Sequence, residues 1–359
     1  MHGISSIQKY KIIIDIYMKY FIIIISISYL FLSCSTESQR ISDIQKLNSA
    51  NSDKKFAFIQ IPNEEEDSYN SKNSFGDIFV YYLIDSTLVR CTNDDFYDVG
   101  LSWSPDGKKL VFASSRDTYD SRTMDNGQAF HNILLYTLEI KSGEIKRIGN
   151  RTVPYLTGLT WNSNGIYYAN WDNKIFKTDE NTGNVSTLLE LNEAAKITDL
   201  SFSYDGNYCV IESHQKEFSD QVLQLFDLNN QKLKKLPING HATGWKNNNR
   251  EFYFLRRDSV YLYDIYNNQL VFIPMISNNE KLMVGDCFVL DENQIIHTSI
   301  ENRWSKLYKR SIRDLNTRKA IGIENIKTKE LWYILKNDHY VESFSSYSIQ
   351  KQYHYFPIK

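Results

Sequence analysis

The chain has 359 residues and a net charge of −2, because 41 Lys and Arg face 43 Asp and Glu. This balance excludes the strongly basic footprint of a nucleic-acid-binding protein, so we expect no nucleic-acid partner. Aromatic residues make up 14% of the chain, against only 15 Gly and 6 Pro, which excludes a low-complexity protein and indicates a large core.

The N-terminal region has the pattern of a secretory signal. Residues 18–34 start with Met-Lys-Tyr, continue as an apolar run from Phe21 to Leu32, and end in Ser33 and Cys34. The apolar run is too short to cross a bilayer comfortably as a helix. The ending Leu-Ser-Cys resembles a bacterial lipobox. That resemblance implies cleavage before Cys34 and acylation of this cysteine, which would hold the protein on a membrane.

These features predict three segments. Residues 1–33 are a signal peptide, 34–46 a lipidated N-terminus and tether, and 47–359 a folded domain. Residues 1–17 add a second basic, Ile-rich piece before a self-sufficient signal, which indicates a true start at Met18. An uncleaved signal anchor is the alternative. The expected location is the bacterial cell envelope, with lipid anchoring at the outer membrane or the periplasmic face.

Residues 101–117 carry the strongest structural motif, which reads as strand, tight turn and strand. In the turn, Pro105 fixes φ, Asp106 can bond nearby backbone, and Gly107 can adopt positive φ. Residues 110–113 are all apolar, so both faces of the second strand are expected to be covered. The stretch resembles the repeat of TolB-like, or WD40-like, β-propellers: an aromatic-Ser-Pro-Asp-Gly turn, an apolar strand and Ser-x-Arg-Asp. The resemblance implies an all-β propeller of four-stranded antiparallel blades.

Weaker copies of the turn recur near residues 50, 161, 202, 245, 289 and 334. A spacing of about 40–45 residues matches one propeller blade. Seven turn signals favour seven blades. Six blades, common in the resembled family, are the alternative, with a closing strand at the C-terminus. Third strands are predicted at 77–82, 132–136, 174–177, 222–227, 260–264 and 306–308. The structural turn residues are Trp103, Pro105, Asp106, Gly107, Trp161, Gly165, Phe202, Asp205, Gly206 and Trp245.

Three predicted loops between second and third strands are long, namely 62–76, 117–131 and 214–221. In a propeller these loops share one face, and loops of such length are commonly functional. We therefore place the candidate partner surface there. Its candidate binding residues are Glu64, Glu65, Asp67, Tyr69, Tyr119, Asp120, Asp125, Phe130, His131 and His214.

Sequence motifs for catalysis are absent: the chain has no Gly-x-Ser-x-Gly, no His-Glu-x-x-His and no Gly-rich phosphate loop. Cys91, Cys209 and Cys287 are odd in number and lack metal-ligand spacing. We assign no catalytic residue, metal ligand or cofactor. Two function classes stay open. The favoured one is a non-enzymatic scaffold lipoprotein that binds an envelope protein or glycan, and the other is a carbohydrate lyase or hydrolase acting in the propeller funnel.

Overall fold

The computed structural model is built of β-strands wherever its elements are described. It describes residues 55–61, 76–82, 87–94, 96–118, 133–154, 156–170, 173–192, 195–214, 221–246, 248–256 and 259–274, and the strands 282–289, 294–301, 319–325, 330–335 and 340–341. All of them belong to one compact unit, Ala50–Lys359. Within these ranges, no helix has the length and apolar character needed to cross a membrane.

The described residues form 24 strands. In chain order they are β1 (Lys55–Ile61), β2 (Asp77–Tyr82), β3 (Thr87–Arg90), β4 (Asp98–Trp103), β5 (Lys109–Ser114), β6 (Leu134–Glu139), β7 (Ile145–Ile148), β8 (Leu156–Asn162), β9 (Gly165–Asn170), β10 (Lys174–Thr178), β11 (Val185–Glu190), β12 (Lys196–Phe202), β13 (Tyr208–His214), β14 (Gln221–Asp227), β15 (Lys232–Lys235), β16 (His241–Trp245), β17 (Glu251–Arg256), β18 (Ser259–Asp264), β19 (Leu270–Ile273), β20 (Leu282–Val289), β21 (Gln294–Glu301), β22 (Lys319–Asn325), β23 (Glu330–Leu335) and β24 (Tyr340–Val341).

These strands pair into four-stranded antiparallel sheets, which confirms the predicted all-β propeller. Five sheets are each made of four consecutive strands: β4–β7, β8–β11, β12–β15, β16–β19 and β20–β23. We call them blades 2 to 6. A further sheet, blade 1, joins the last strand to the first three in the order β24-β1-β2-β3. In blades 2 to 6, the first strand of each blade contacts the first strand of the next, and these strands form the inner ring.

The favoured count of seven blades is wrong. β1 pairs with β24, with Gln60 opposite Val341 and Ile61 opposite Tyr340. The turn signals near 50 and 334 therefore precede two strands of the same sheet, although the sequence pattern counted them as two blades. A ring closes when one terminus completes the sheet begun by the other, and spacing along the chain does not record that pairing.

The predicted third strands correspond to β2, β6, β10, β14 and β18 in blades 1 to 5. The prediction at 306–308 is wrong for blade 6, whose third strand is β22, and residues 306–308 lie outside the described residues. This difference lengthens one loop, with a consequence for the binding face below.

The core lies between neighbouring blades. Leu110, Val111, Phe112 and Ala113 of β5 are all fully buried, which confirms that both faces of this strand are covered. One cluster joins Val111 and Ala113 to side chains of blade 3, including Trp161. Similar clusters join blades 3 and 4 and blades 4 and 5. Each fully buried large apolar side chain contributes about 1.5–3 kcal/mol, so adjacent blades stabilise each other.

The inner strands share an irregularity that sequence patterning did not predict. β4, β8, β12, β16 and β20 each shift register by a β-bulge near their start. A bulge bends a strand and increases its twist. In β4 the bulge contains Gly100, whose φ is +62° and whose position would place a Cβ 2.6 Å from Leu156 Cδ2 in blade 3. At this bulge, therefore, blade 2 packs against blade 3 too closely for a side chain at position 100.

Candidate binding face

Alternate strands of a blade run in opposite directions, so its connections fall into two groups. The loop between the second and third strands and the link to the next blade leave from one end, which we call the loop face. The turns between first and second strands and between third and fourth strands leave from the other end, which we call the turn face. All long connections between second and third strands therefore lie on the loop face.

Long connections belong to neighbouring blades. Between the second and third strands, blade 1 has residues 62–76, blade 2 has 115–133 and blade 6 has 302–318. The corresponding segments of blades 3 and 5 are only 171–173 and 257–258. Blade 4 has the intermediate segment 215–220. Blades 6, 1 and 2 follow one another around the ring, so their long loops start from adjacent positions of one face.

The predicted binding residues fall mainly in these loops. Nine of them lie outside the described residues, namely Glu64, Glu65, Asp67, Tyr69, Tyr119, Asp120, Asp125, Phe130 and His131. His214 is described, and it ends β13 at the loop face. The sequence reading missed 302–318, because it placed a third strand within it. Segment 302–318 has only one acidic residue, Asp314. It has six basic residues, namely Arg303, Lys306, Lys309, Arg310, Arg313 and Arg318.

The first buried charge group of the loop face lies in blade 1. Asp77, at the start of β2, is buried and forms an ion pair with Arg90 at the end of β3. Thr92 Oγ1 and the backbone N–H of Asp94 both donate to Asp77 Oδ1, each at 3.3 Å. Burial raises the pKa of the Asp77 carboxyl, and the neighbouring Arg90 guanidinium opposes that rise. The group fixes the point at which the loop 62–76 rejoins the sheet.

A second charge group continues from the first into blade 2. Arg116 Nη2 donates to both carboxylate oxygens of the fully buried Asp98, at 3.2 and 3.3 Å, and lies 3.6 Å from Asp94 Oδ2. Its guanidinium also lies over the rings of Phe112 and Tyr136, at 5.1 and 5.3 Å from their centroids. Burial raises the pKa of Asp98 to about 7, although Arg116 acts to lower it. Asp94 thus links the two groups across the blade boundary.

Arg116 and Asp117 belong to the Ser-x-Arg-Asp part of the repeat motif. Arg116 makes a structural ion pair, and Asp117 Oδ2 accepts from Arg147 Nη1 at 3.2 Å. Both residues immediately precede the part of the long loop that lies outside the described residues. Their contacts fix the described end of this connection to the blade.

A third polar group joins blades 4 and 5. Glu212 of β13 is buried, and its Oε1 accepts from Thr198 Oγ1 at 2.9 Å and from Gln221 Nε2 at 2.5 Å. His241 Nδ1, in the next blade, lies 3.0 Å from the same oxygen, and its side chain is 61% exposed. Glu212 Oε2 is buried with no hydrogen-bond partner among the residues that the structure describes.

The described part of the chain offers no set of metal ligands. No group of three or more His, Cys, Asp or Glu residues there is arranged to hold a metal ion. The sequence analysis assigned neither Asp77, Asp98 nor Glu212 to this face. Glu212 carried a usable signal, because it is the one charged residue in the strand 208–214.

The repeat-turn residues lie at the other end of the blades. Trp103, Phe202 and Trp245 end the inner strands β4, β12 and β16, Trp161 is the last residue but one of β8, and all four are buried. Of the remaining members, Pro105, Asp106, Gly107, Asp205 and Gly206 lie in turns on the turn face, and Gly165 begins β9 directly after such a turn.

Two of these turns have the same hydrogen bonds. Ser104 Oγ donates to Asp106 Oδ1 at 2.7 Å and accepts from Lys109 N at 2.9 Å. Ser203 does the same with Asp205 and Tyr208, at 2.6 and 2.9 Å. The Ser and Asp of the motif therefore close the turn together and do not form a reactive site.

Comparisons with known proteins give a fold and no family. No family model matches the chain, and no curated protein matches it in sequence. Among solved structures, TolB from Acinetobacter baumannii matches 82% of the chain with TM-score 0.53 and 11% identity, and the match spans 65% of the TolB chain. A putative TolB from Agrobacterium tumefaciens matches 81% with TM-score 0.54 and 10% identity, over 92% of its own length.

A third structure is an oligogalacturonate lyase from Vibrio parahaemolyticus, with TM-score 0.44 and 12% identity, covering 64% of this chain and 72% of the lyase. A likeness this low does not support the carbohydrate-enzyme alternative. The two TolB structures have very low sequence identity to this chain, so they bear on architecture alone. The blades, the bulged inner ring and these two likenesses together give the conclusion that the chain has the TolB-like β-propeller fold.

Proposed function

We propose that this protein is a membrane-tethered envelope lipoprotein whose propeller is a non-enzymatic module that binds a protein or glycan through its loop face. The observation that carries the proposal is the position of the long connections. Segments 302–318, 62–76 and 115–133 leave adjacent blades on one face, while the corresponding segments of blades 3 and 5 are two or three residues long.

Charge supports a binding role for this face. Segment 62–76 carries an acidic run, Glu64, Glu65, Glu66 and Asp67, and segment 302–318 is strongly basic. A face with both signs selects partners by complementary charge and speeds encounter at low salt. Buried ion pairs at the loop stems, such as Arg116 with Asp98, hold the starting points of the loops in place.

The membrane tether is the second part of the proposal. It depends on the lipobox-like ending at Cys34, which lies outside the described residues. The partner classes that fit this location are an envelope protein and a cell-wall glycan. Residues 34–46 would separate the propeller from that membrane.

Photo-cross-linking in living bacteria tests the binding face. A benzophenone amino acid replaces Tyr69 or Tyr119 in the full chain, and the matched control replaces Leu233, which is 40% exposed on β15 away from the loops. We expect adducts with an envelope protein or with peptidoglycan from both tyrosine positions and none from Leu233. Equal adducts from all three positions, or none from the two loop positions, would contradict the proposed face.

The tether has a separate test, so that the two parts can fail independently. Radiolabelled palmitate should enter the wild-type chain and not the Cys34→Ala variant. The variant should also leave the membrane fraction. Label in both proteins, or in neither, would contradict lipidation at Cys34 and leave the binding face to be judged by its own experiment.

A further inference from the structure

Exposed apolar surface is concentrated on the outermost strand of blade 5. In β19, Leu270, Val271 and Phe272 are 44%, 41% and 51% exposed, and Tyr266 in the preceding turn is 61% exposed. Only two other large apolar side chains in the described part of the chain are marked as exposed, and they lie on two different blades. Clusters of this kind mark interaction sites more often than isolated exposed side chains do.

The edge strands of blades 1 to 4 carry charge. A charged side chain on an edge strand opposes pairing with another sheet, and Lys is the residue most used for this. Outermost strands of blades 1 to 4 all carry such residues: Arg90 in β3, Lys146 and Arg147 in β7, Glu190 in β11, and Lys232, Lys234 and Lys235 in β15. β19, with the sequence Leu-Val-Phe-Ile, carries none.

The backbone of β19 is also in register for pairing. The N–H of Asp264 donates to the carbonyl of Gln269 at 3.0 Å, and β18 pairs with β19 so that Leu262 lies opposite Val271. In an antiparallel pair, hydrogen-bonded positions alternate. Val271 therefore bonds inward to β18, while Leu270 and Phe272 turn their N–H and C=O groups to the open edge. No strand among those described pairs with that side of β19.

We propose that β19 pairs with β19 of a second copy of this chain, antiparallel and across a two-fold axis. Centred on Val271, the pairing places Leu270 opposite the second copy's Phe272, and both residues exchange their outward backbone hydrogen bonds. Val271 meets its own equivalent on the opposite side of the sheet. No charged side chain faces another, and each aliphatic side chain meets an aromatic or a β-branched one, which is favourable across strands.

The open edge of β19 can pair with the same edge of a second copy, because its backbone donors and acceptors are complementary to themselves after a two-fold rotation. The outward donors and acceptors of Leu270 and Phe272 match themselves in this register, and Pro274, which has no N–H, ends the ladder just beyond. Four-residue strands give a small contact, so the dimer is weak and depends on concentration.

Disulfide trapping tests the register. In a non-hydrogen-bonded antiparallel pair the Cα atoms lie about 4.5 Å apart, within the range of about 4.4–6.8 Å that a disulfide allows. The Val271→Cys variant of the whole protein, oxidised in membranes, should give a species of twice the mass of its reduced chain. The matched control is Leu233→Cys, with similar exposure on the Lys-rich edge β15.

No more dimer from Val271→Cys than from Leu233→Cys would overturn the proposal. A cross-linked product of a different mass would also overturn it, because another protein would then occupy the edge. Circular dichroism of both variants shows whether each chain has folded. If only Val271→Cys is misfolded, the second experiment tests the proposal instead.

Charge exchange at the same position is that second experiment. Two differently tagged full-length copies are co-expressed, and the fraction that co-purifies is measured. Val271→Lys in both copies should reduce it at least about tenfold, because like charges then face each other across the axis. Pairing a Val271→Lys copy with a Val271→Glu copy should restore it. An equal fall with Leu233→Lys, or no restoration by the opposite charges, would contradict pairing through β19.

Discussion

Two buried tryptophans at equivalent repeat positions allow a controlled test of how the blades hold together. Trp103 in blade 2 and Trp245 in blade 5 are both fully buried at the ends of inner strands. Trp245 Nε1 donates to the carbonyl of Ser201 in blade 4 at 3.1 Å. Trp103 Nε1 is buried without a hydrogen-bond partner among the described residues, and Lys55 Nζ lies 5.0 Å from its ring centroid.

Replacing each tryptophan by phenylalanine separates packing from hydrogen bonding. Both substitutions remove the same ring, so the packing loss largely cancels when the two are compared. Trp245→Phe also breaks an inter-blade hydrogen bond, whereas Trp103→Phe removes a donor whose burial was uncompensated, and each effect amounts to about 1–3 kcal/mol. Because the two effects add when the variants are compared, we expect Trp245→Phe to lower the free energy of unfolding by about 2–6 kcal/mol more than Trp103→Phe.

Urea unfolding followed by far-UV circular dichroism measures this difference, since that signal does not depend on tryptophan emission. Equal slopes of the transitions are required for the comparison, because a changed slope means a changed unfolded state or an intermediate. A loss for Trp103→Phe equal to or larger than that for Trp245→Phe would refute the view that the inter-blade hydrogen bond distinguishes these sites.

Burial raises the pKa of Asp98 to about 7, so the folded chain holds a proton that the unfolded chain releases near pH 4. The stability of wild type relative to Asp98→Asn, from urea unfolding, should therefore fall by up to about 4 kcal/mol between pH 4 and 7 and then level off; a constant difference would contradict this. Gly100→Ala should lower the unfolding free energy by about 1–2 kcal/mol or more, because its φ is +62° and a Cβ would meet Leu156 Cδ2 at 2.6 Å; unchanged stability would show that the bulge can relax. Lys109 Nζ and Glu180 Oε1 lie 2.6 Å apart between blades 2 and 3, and both side chains are partly exposed. A double-mutant cycle should give a coupling energy of about 0.2–1 kcal/mol that declines in high salt. A larger coupling energy that does not depend on salt would contradict a surface ion pair.

Much of the candidate face follows from local sequence and some does not. The loops 62–76 and 115–133 were recognisable because apolar strands flank long polar stretches. Segment 302–318 was not, because Lys306, Leu307 and Tyr308 resemble a short strand, and only the pairing of β21 with β22 shows that the third strand begins at Lys319. The contacts of Asp98 with Arg116 and of Glu212 with His241 join residues 18 and 29 positions apart, and the second of them crosses a blade boundary.

The sequence alone determined the blade: the Ser-Pro-Asp-Gly turn and the alternation of side chains are local, so backbone preferences and nearby hydrogen bonds suffice to specify them. Ser104 with Asp106 and Ser203 with Asp205 repeat one turn in two blades because each makes its bonds within six residues. Only the tertiary structure decided how the ring closes, which loops are neighbours, and that β19 has an uncharged open edge. Those features depend on which distant strands pair, as β1 does with β24, and a pattern of period two carries no information about the partner of a strand.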